Sequence, residues 1–356
     1  MSPSPIEKTK KKENVRLYWL DALKGLAILA VIIGHLFNAF QNHKLYPDSM
    51  GAIRLIRNWI YTWHMPFFIT LSGFSFSLAY VKGQVKKNKI QHQIKKLLVL
   101  YLIFNGLLSI LKIIYALLFG GTPDFKELFI NILCPDNIFW YLWVLIIYYL
   151  IFGTLALAQK LKKTYLMLVF LLISGIVAYF WRLAADAGDW RLGLVHLIYE
   201  IPFFAFGIFL AKLHRKEKES MLLTLVVCAI SLFFTLAYLF TPAHYHSLGT
   251  EMTTLLQMLF SFSFSIFLFF SAQGWPVGNK NILLIWGQNS LVIYLIHKYV
   301  ITFYTALLTR LPKGSFLSLL RDNAKIGFLL GLFLCLAVSM AAAYLLKWVK
   351  KKHRQF

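Results

Sequence analysis

Apolar residues in this chain run in blocks of about twenty, separated by short polar stretches rich in lysine. A block of that length, coiled at 1.5 Å per residue, spans the hydrocarbon of a bilayer. The pattern predicts about ten transmembrane helices. They fall at roughly 17–40, 58–80, 94–119, 138–158, 164–182, 193–213, 221–240, 252–272, 281–308 and 326–348. The expected fold class is all-α, a polytopic integral membrane protein. It divides into a basic N-terminal arm (1–16), a membrane domain (17–348) and a basic tail (349–356). No internal repeat and no second domain are visible in the pattern.

Composition closes the soluble alternative. Residues of the AVILMFWYC set make up 59% and charged residues 14%, against about 45–50% and about 25% in a soluble domain. No water-soluble fold of 356 residues could bury so much apolar surface. The net charge of +23 would suggest nucleic acid in a soluble protein. Here the basic residues flank apolar runs, so they orient the chain in a membrane, and nucleic acid is not an expected partner.

With the N-terminus placed inside, 24 of the 37 Lys and Arg fall on the inner side, 10 on the outer side and 3 within helices. The inner tracts include 82–96, 160–163, 212–218 and 347–354. The outer loops carry eight acidic residues, among them Asp136 and Asp186. A multi-pass protein of the cytoplasmic (inner) membrane with both termini cytoplasmic is expected. The first segment reads as an uncleaved anchor, since no small-residue cleavage site follows a short apolar core. Cys134, Cys228 and Cys335 lie far apart and suggest neither a metal site nor a disulfide framework.

Ionisable groups inside membrane segments are costly unless paired or hydrated, so they mark candidate chemistry. The first segment carries Asp21, Lys24 and His35. At about 100° per residue, the eleven-residue step from Lys24 to His35 returns to the same helix face, about 16 Å further along the axis. Asp21 stands one turn from Lys24 and can pair with it. The stripe places a cation near the inner surface and an imidazole, a base at neutral pH, nearer the outer one.

The second segment adds His64, then Pro66, which removes a backbone donor and frees a carbonyl that must find another partner, and then Ser72. Glu200 interrupts an apolar run just before Pro202, and the ninth segment brings Tyr294 and His297 to one side of its helix. Trp140, Tyr141 and Trp143 read as an interfacial aromatic belt. His244 and His246 read as a solvated loop, and Gly327 and Gly331 as a close-packing pair.

The motifs Asp21-Ala-Leu-Lys24-Gly25 … Gly34-His35 and His64-Met-Pro66-Phe-Phe68 … Ser72-Gly73-Phe74 resemble those of the acyltransferase 3 family. The subgroup related to fucose O-acetylases is the most similar. Trp140-Tyr141-Leu-Trp143, Ile201-Pro202-Phe-Phe-Ala-Phe-Gly207 and Ser290-Leu-Val-Ile-Tyr294-Leu-Ile-His297 resemble later family motifs in the expected order. The family pattern of a basic residue, ten others and His falls on Lys24 and His35. Many members carry Arg at the first position; Lys keeps the charge but not a bidentate phosphate contact.

The resemblance implies transfer of an acyl group, usually acetyl from acetyl-CoA, to hydroxyls of an extracytoplasmic glycan. His35 would be base or acyl carrier, supported by Asp21 and His64. Arg16, Lys24, Lys95 and Lys96 would attract the CoA phosphates, and no metal would be needed. Some family members fuse an esterase-like extracytoplasmic domain; none follows here, so a separate transferase or esterase-like protein is a possible partner beside the membrane lipids. Glu200, Ser72, Trp140, Tyr294 and His297 are further candidates. A proton-coupled transporter of a lipid, sugar or drug is the alternative, and a non-catalytic scaffold a third. The transporter would predict repeated halves with matching broken helices.

Overall fold

The computed structural model describes residues 17–81, 87–118, 122, 124–216, 226, 229–230, 233, 249–275, 278, 280–310 and 318–352. The described chain is helical throughout: α1 (Tyr18–Asn42), α2 (Met50–Phe76), α3 (Lys87–Leu118), α4 (Phe125–Leu133), α5 (Trp140–Leu157), α6 (Thr164–Asp186) and α7 (Leu192–Tyr199). After these come α8 (Ile201–Lys216), α9 (Gly249–Gln273), α10 (Ile282–Gln288), α11 (Ser290–Arg310), α12 (Ser318–Asp322) and α13 (Ala324–Lys352).

Nine stretches among the described residues are long and apolar enough to cross a membrane, α7 and α8 together forming one of them. They match nine of the ten predicted segments. The seventh, 221–240, falls almost entirely outside the described residues, as do Arg16 and the loop histidines 244 and 246. The protein is a multi-pass, all-α membrane protein.

The predicted segment 281–308 is two helices rather than one. Asn289 ends α10 by donating its side-chain amide to the Ile285 carbonyl at 2.7 Å, and Asn281 caps the start of α10 through its side-chain oxygen. The short α10 lies along α1, and α11 continues as the spanning element.

Helices α1, α2 and α8 form the packed centre, while α3 and α6 turn most of their apolar surface outward, where lipid would cover it. Without a hydrophobic drive between helices in lipid, close backbone approach through small residues does much of the packing. A Cβ on Gly287 would strike the Asp21 carbonyl, and one on Gly25 the Leu283 carbonyl, so α1 and α10 touch backbone to backbone. Gly73 and Gly207 do the same for α2 and α8. The Gly327 and Gly331 pair does allow close packing, but against the side chains of Tyr46 and Tyr304 as well as the Leu320 carbonyl.

Pro66 sits inside α2 and cannot donate to the Thr62 carbonyl. The buried Ser261 hydroxyl of α9 reaches that carbonyl at 2.7 Å, so the proline defect is repaired from a neighbouring helix. A second break, at Glu200 between α7 and α8, is met by the Tyr148 hydroxyl, which donates to the Leu197 carbonyl at 2.8 Å.

Outside the spans, α4 is tied down by Arg191, whose guanidinium makes two hydrogen bonds to Glu127, at 3.0 and 3.1 Å. That fork holds the Glu127 carboxyl below its usual range. Trp140 and Tyr141 correct the aromatic-belt expectation: both are buried among protein side chains instead of lying at a lipid interface.

Candidate active site

The two repaired breaks border one cavity of 1220 Å³. Its wall takes His35 from α1, Arg57, Tyr61 and His64 from α2, Trp140 from α5, and His196 and Glu200 from the α7–α8 junction. Tyr294 and Lys298 from α11 complete it. Helical spacing explains the α2 contribution: positions 57, 61 and 64 fall one turn apart on one face.

His35 approaches the Tyr61 hydroxyl through Nδ1 at 3.1 Å, and its ring lies 5.3 Å from the His297 ring. The Tyr61 ring sits between His35 and His64, 5.9 and 5.0 Å from their rings. Arg57 lies over the middle ring itself: its guanidinium carbon is 4.7 Å from the Tyr61 ring centre, and its Nε donates to Asn38 Oδ1 at 3.0 Å.

Two further imidazoles have a determined tautomer. His64 Nδ1 stands 2.7 Å from the Ile60 carbonyl and His297 Nδ1 stands 2.7 Å from the Tyr294 carbonyl. A carbonyl only accepts, so each Nδ1 carries hydrogen. In the neutral rings each Nε2 is then an acceptor, and among the described residues neither Nε2 has a hydrogen-bond partner. Buried acceptors of this kind are costly unless an incoming donor, such as a hydroxyl, satisfies them.

On the far wall His196 Nδ1 meets the fully buried Glu200 carboxyl at 3.2 Å, while its ring stacks on Trp140 at 3.7 Å. The other oxygen of Glu200 has no partner among the described residues. Tyr294 is fixed by donating to the Ile138 carbonyl.

These residues sit within the reach of a single family model. The model of the acyltransferase 3 family, described as an acyltransferase domain, matches residues 17–348. The chain belongs to that family. No curated protein and no solved structure matches it. As a member of the acyltransferase 3 family, it is a membrane acyltransferase, and an acyl donor is implied with it.

The acyltransferase 3 motif residues separate into two groups. His35, His64, Glu200, Trp140 and Tyr294 share the cavity wall, with His297 packed behind His35. Asp21 and Lys24 pair at 3.9 Å, Asp21 being buried, at the end of α1 away from His35. Lys95 and Lys96 are exposed near the start of α3. Ser72 lies outside the cavity lining; its hydroxyl contacts the Phe68 carbonyl at 2.9 Å and the Tyr141 hydroxyl at 2.8 Å.

Among the lining residues that had no functional reading in the sequence are Arg57, Tyr61, His196 and Arg182. A signal existed for two of them. His196 precedes Glu200 by four residues and Tyr61 precedes His64 by three, spacings that bring side chains together on a helix. Arg57 and Arg182 stand four residues before Tyr61 and Asp186, but a charge near a predicted helix edge counts equally well as a loop charge, so the spacing pointed to no function there.

Proposed function

We propose that this acyltransferase 3 family member is an O-acyltransferase that moves an acetyl group from acetyl-CoA to a hydroxyl of an extracytoplasmic glycan. It would work in the cytoplasmic membrane with both termini inside. The observation that carries the reading is His35, set in the wall of a large cavity with a hydroxyl at its Nδ1 and two partnerless imidazole acceptors, those of His64 and His297, in its surroundings.

When Tyr61 oxygen accepts the Nδ1 hydrogen, Nε2 of His35 is the base. It takes the proton of the acceptor hydroxyl as that oxygen attacks the thioester carbonyl. The carbon–sulfur bond breaks, and the leaving CoA sulfur takes the proton back from the imidazolium. A first attack by His35 Nε2 itself would give an acyl-imidazole carrier: the carbon–sulfur bond breaks, the CoA sulfur takes the Nδ1 hydrogen by way of Tyr61, and the acceptor hydroxyl then displaces the imidazole and returns its proton to Nδ1. The Asp21–Lys24 pair would meet the CoA phosphates at the inner mouth together with Arg16, Lys95 and Lys96, since clustered cations raise local anion concentration. The wording of the α1 and α2 motifs favours the fucose O-acetylase-like subgroup. A separate transferase or esterase-like partner remains compatible with this scheme.

The test is release of CoA from acetyl-CoA by the purified protein in nanodiscs, with a glycan extract present. His35→Ala should lower turnover by about 10²- to 10⁴-fold, the range lost with a general base. Equal turnover in the two proteins would remove His35 from the chemistry. Movement of glycan or lipid across the bilayer without any CoA release would favour a transporter.

A further inference from the structure

The cavity has an uneven charge balance. Its acidic residues are Asp136, Asp186 and Glu200. Each already has a partner within the protein: Asp186 pairs with Arg182 at 3.0 Å, Glu200 meets His196, and Asp136 accepts the Leu192 backbone N–H at 3.1 Å and lies within electrostatic reach of the Arg191 guanidinium. The remaining cations, Arg57, Lys112 and Lys298, form no salt bridge among the described residues. Arg57 is held instead by neutral oxygens, Asn38 Oδ1 at 3.0 Å and Asn58 Oδ1 at 2.9 Å. Lys112 feels Glu127, whose carboxylate is already engaged by Arg191.

Lys298 follows His297 directly on the spanning helix α11 and is half-buried. Arg57 and Lys298 both lie within electrostatic reach of His35. A cation within a membrane span is expensive when nothing neutralises it. Three of them around one cavity, with the neighbouring carboxylates spoken for, leave a site short of negative charge.

We infer that the acceptor is anionic: a sugar carrying a carboxylate or phosphoryl group, held by Lys298 and Arg57 so that a neighbouring hydroxyl faces His35. This rests on the O-acyltransferase reading and adds the class of acceptor to it. An anion here does three things at once. It offsets the local positive charge, it satisfies donors in a partly dehydrated cavity where such bonds are strong, and it fixes the hydroxyl relative to the imidazole. Arg57 supplies a planar fork suited to a carboxylate or phosphate, and Lys298 a point charge.

Binding and turnover would be measured on the same nanodisc protein. The probes are a short oligoglucuronate, a neutral oligoglucose of equal length, inorganic phosphate and CoA. The wild type should bind oligoglucuronate about tenfold or more tightly than oligoglucose, an effect of the size that one charge-assisted contact gives. Lys298→Gln should remove that preference and raise the KM for the acidic acceptor about tenfold, while the KM for acetyl-CoA stays within about twofold. Lys298→Arg, which keeps the charge, should retain the preference and shows that Lys298→Gln has not simply misfolded.

Competition by inorganic phosphate that exceeds that of glucuronate assigns a phosphoryl group to the acceptor; the reverse assigns a carboxylate. Equal affinity for the neutral and acidic oligosaccharides overturns the inference and leaves the acyltransferase reading intact. Loss of CoA affinity rather than glucuronate affinity in Lys298→Gln also overturns it, since the cations would then serve the donor. Because the binding arm needs no turnover, absence of acetyl-CoA consumption would sink the reading of the reaction without obscuring the result on acceptor charge.

Discussion

Whether His35 can act as a base turns on one hydrogen, the one shared with Tyr61 over 3.1 Å. If Tyr61 donates it, Nδ1 is the acceptor and Nε2 is blocked by its own hydrogen; if Tyr61 accepts, Nε2 is open. Arg57 over the Tyr61 ring fixes the ring's position, so Tyr61 is a positioning residue for the imidazole. Tyr61→Phe keeps the packing and removes the hydroxyl alone. It should lower kcat by about 10- to 100-fold, the scale at which loss of orientation is felt, with the KM for acetyl-CoA little changed. Steady-state kinetics at saturating donor would check this, and unaltered kcat would place the working tautomer of His35 elsewhere. Of this site, His35, His64 and His297 were legible as polar exceptions in apolar runs. Arg57 and Tyr61 were not, because an arginine at a predicted helix edge and a tyrosine in an aromatic run are both ordinary; only the α1–α2 packing gives them a role.

At the scale of elements, the breaks in regular structure are what shape the cavity. Sequence identified both prolines and predicted that Pro66 would free a carbonyl, but neither that this is the Thr62 carbonyl nor the donor that repairs it, since Ser261 is 199 residues away from Thr62. Hydrophobic blocks are a local signal and predicted nine described spans; partners between distant helices leave no such trace. The division of α10 from α11 was missed for a related reason: the interruption Gly287-Gln-Asn-Ser290 is only four residues long, too short to end a run that is apolar on both sides, yet Asn289 stops the helix there. Ser261 is fully buried, and its hydroxyl also meets the Gln257 carbonyl at 2.7 Å. Ser261→Ala should therefore cost about 0.5–1.5 kcal/mol, the span seen for hydrogen bonds within membrane bundles. Ser271→Ala, which removes a local bond to the Leu268 carbonyl, is the comparison. Thermal unfolding in detergent would read the two side by side, and equal losses would mean that the carbonyl of Thr62 needs no donor from α9.

For the whole molecule, the direction of transfer follows from which face of the membrane the cavity meets. On the proposed reading, the bias of 24 basic residues over 10 would orient the chain through its loops, and that orientation would send His35 and Asn58 outward and Lys95 inward. If it holds, donor and acceptor meet from opposite sides: the CoA phosphates near Lys24, the glycan in the cavity, and the 16 Å or so of α1 between them as the path along which the acyl group must travel. Single cysteines test this in a background lacking Cys134, Cys228 and Cys335. Asn58 and Lys95 are both exposed, so Asn58→Cys and Lys95→Cys offer sites that need no unfolding to react. A membrane-impermeant maleimide should label Asn58→Cys in intact cells and Lys95→Cys only after permeabilisation. The opposite result would turn the cavity toward the cytosol, where acetyl-CoA is made. The cations at Arg57 and Lys298 would then face the donor, and an extracytoplasmic glycan would have no route to His35.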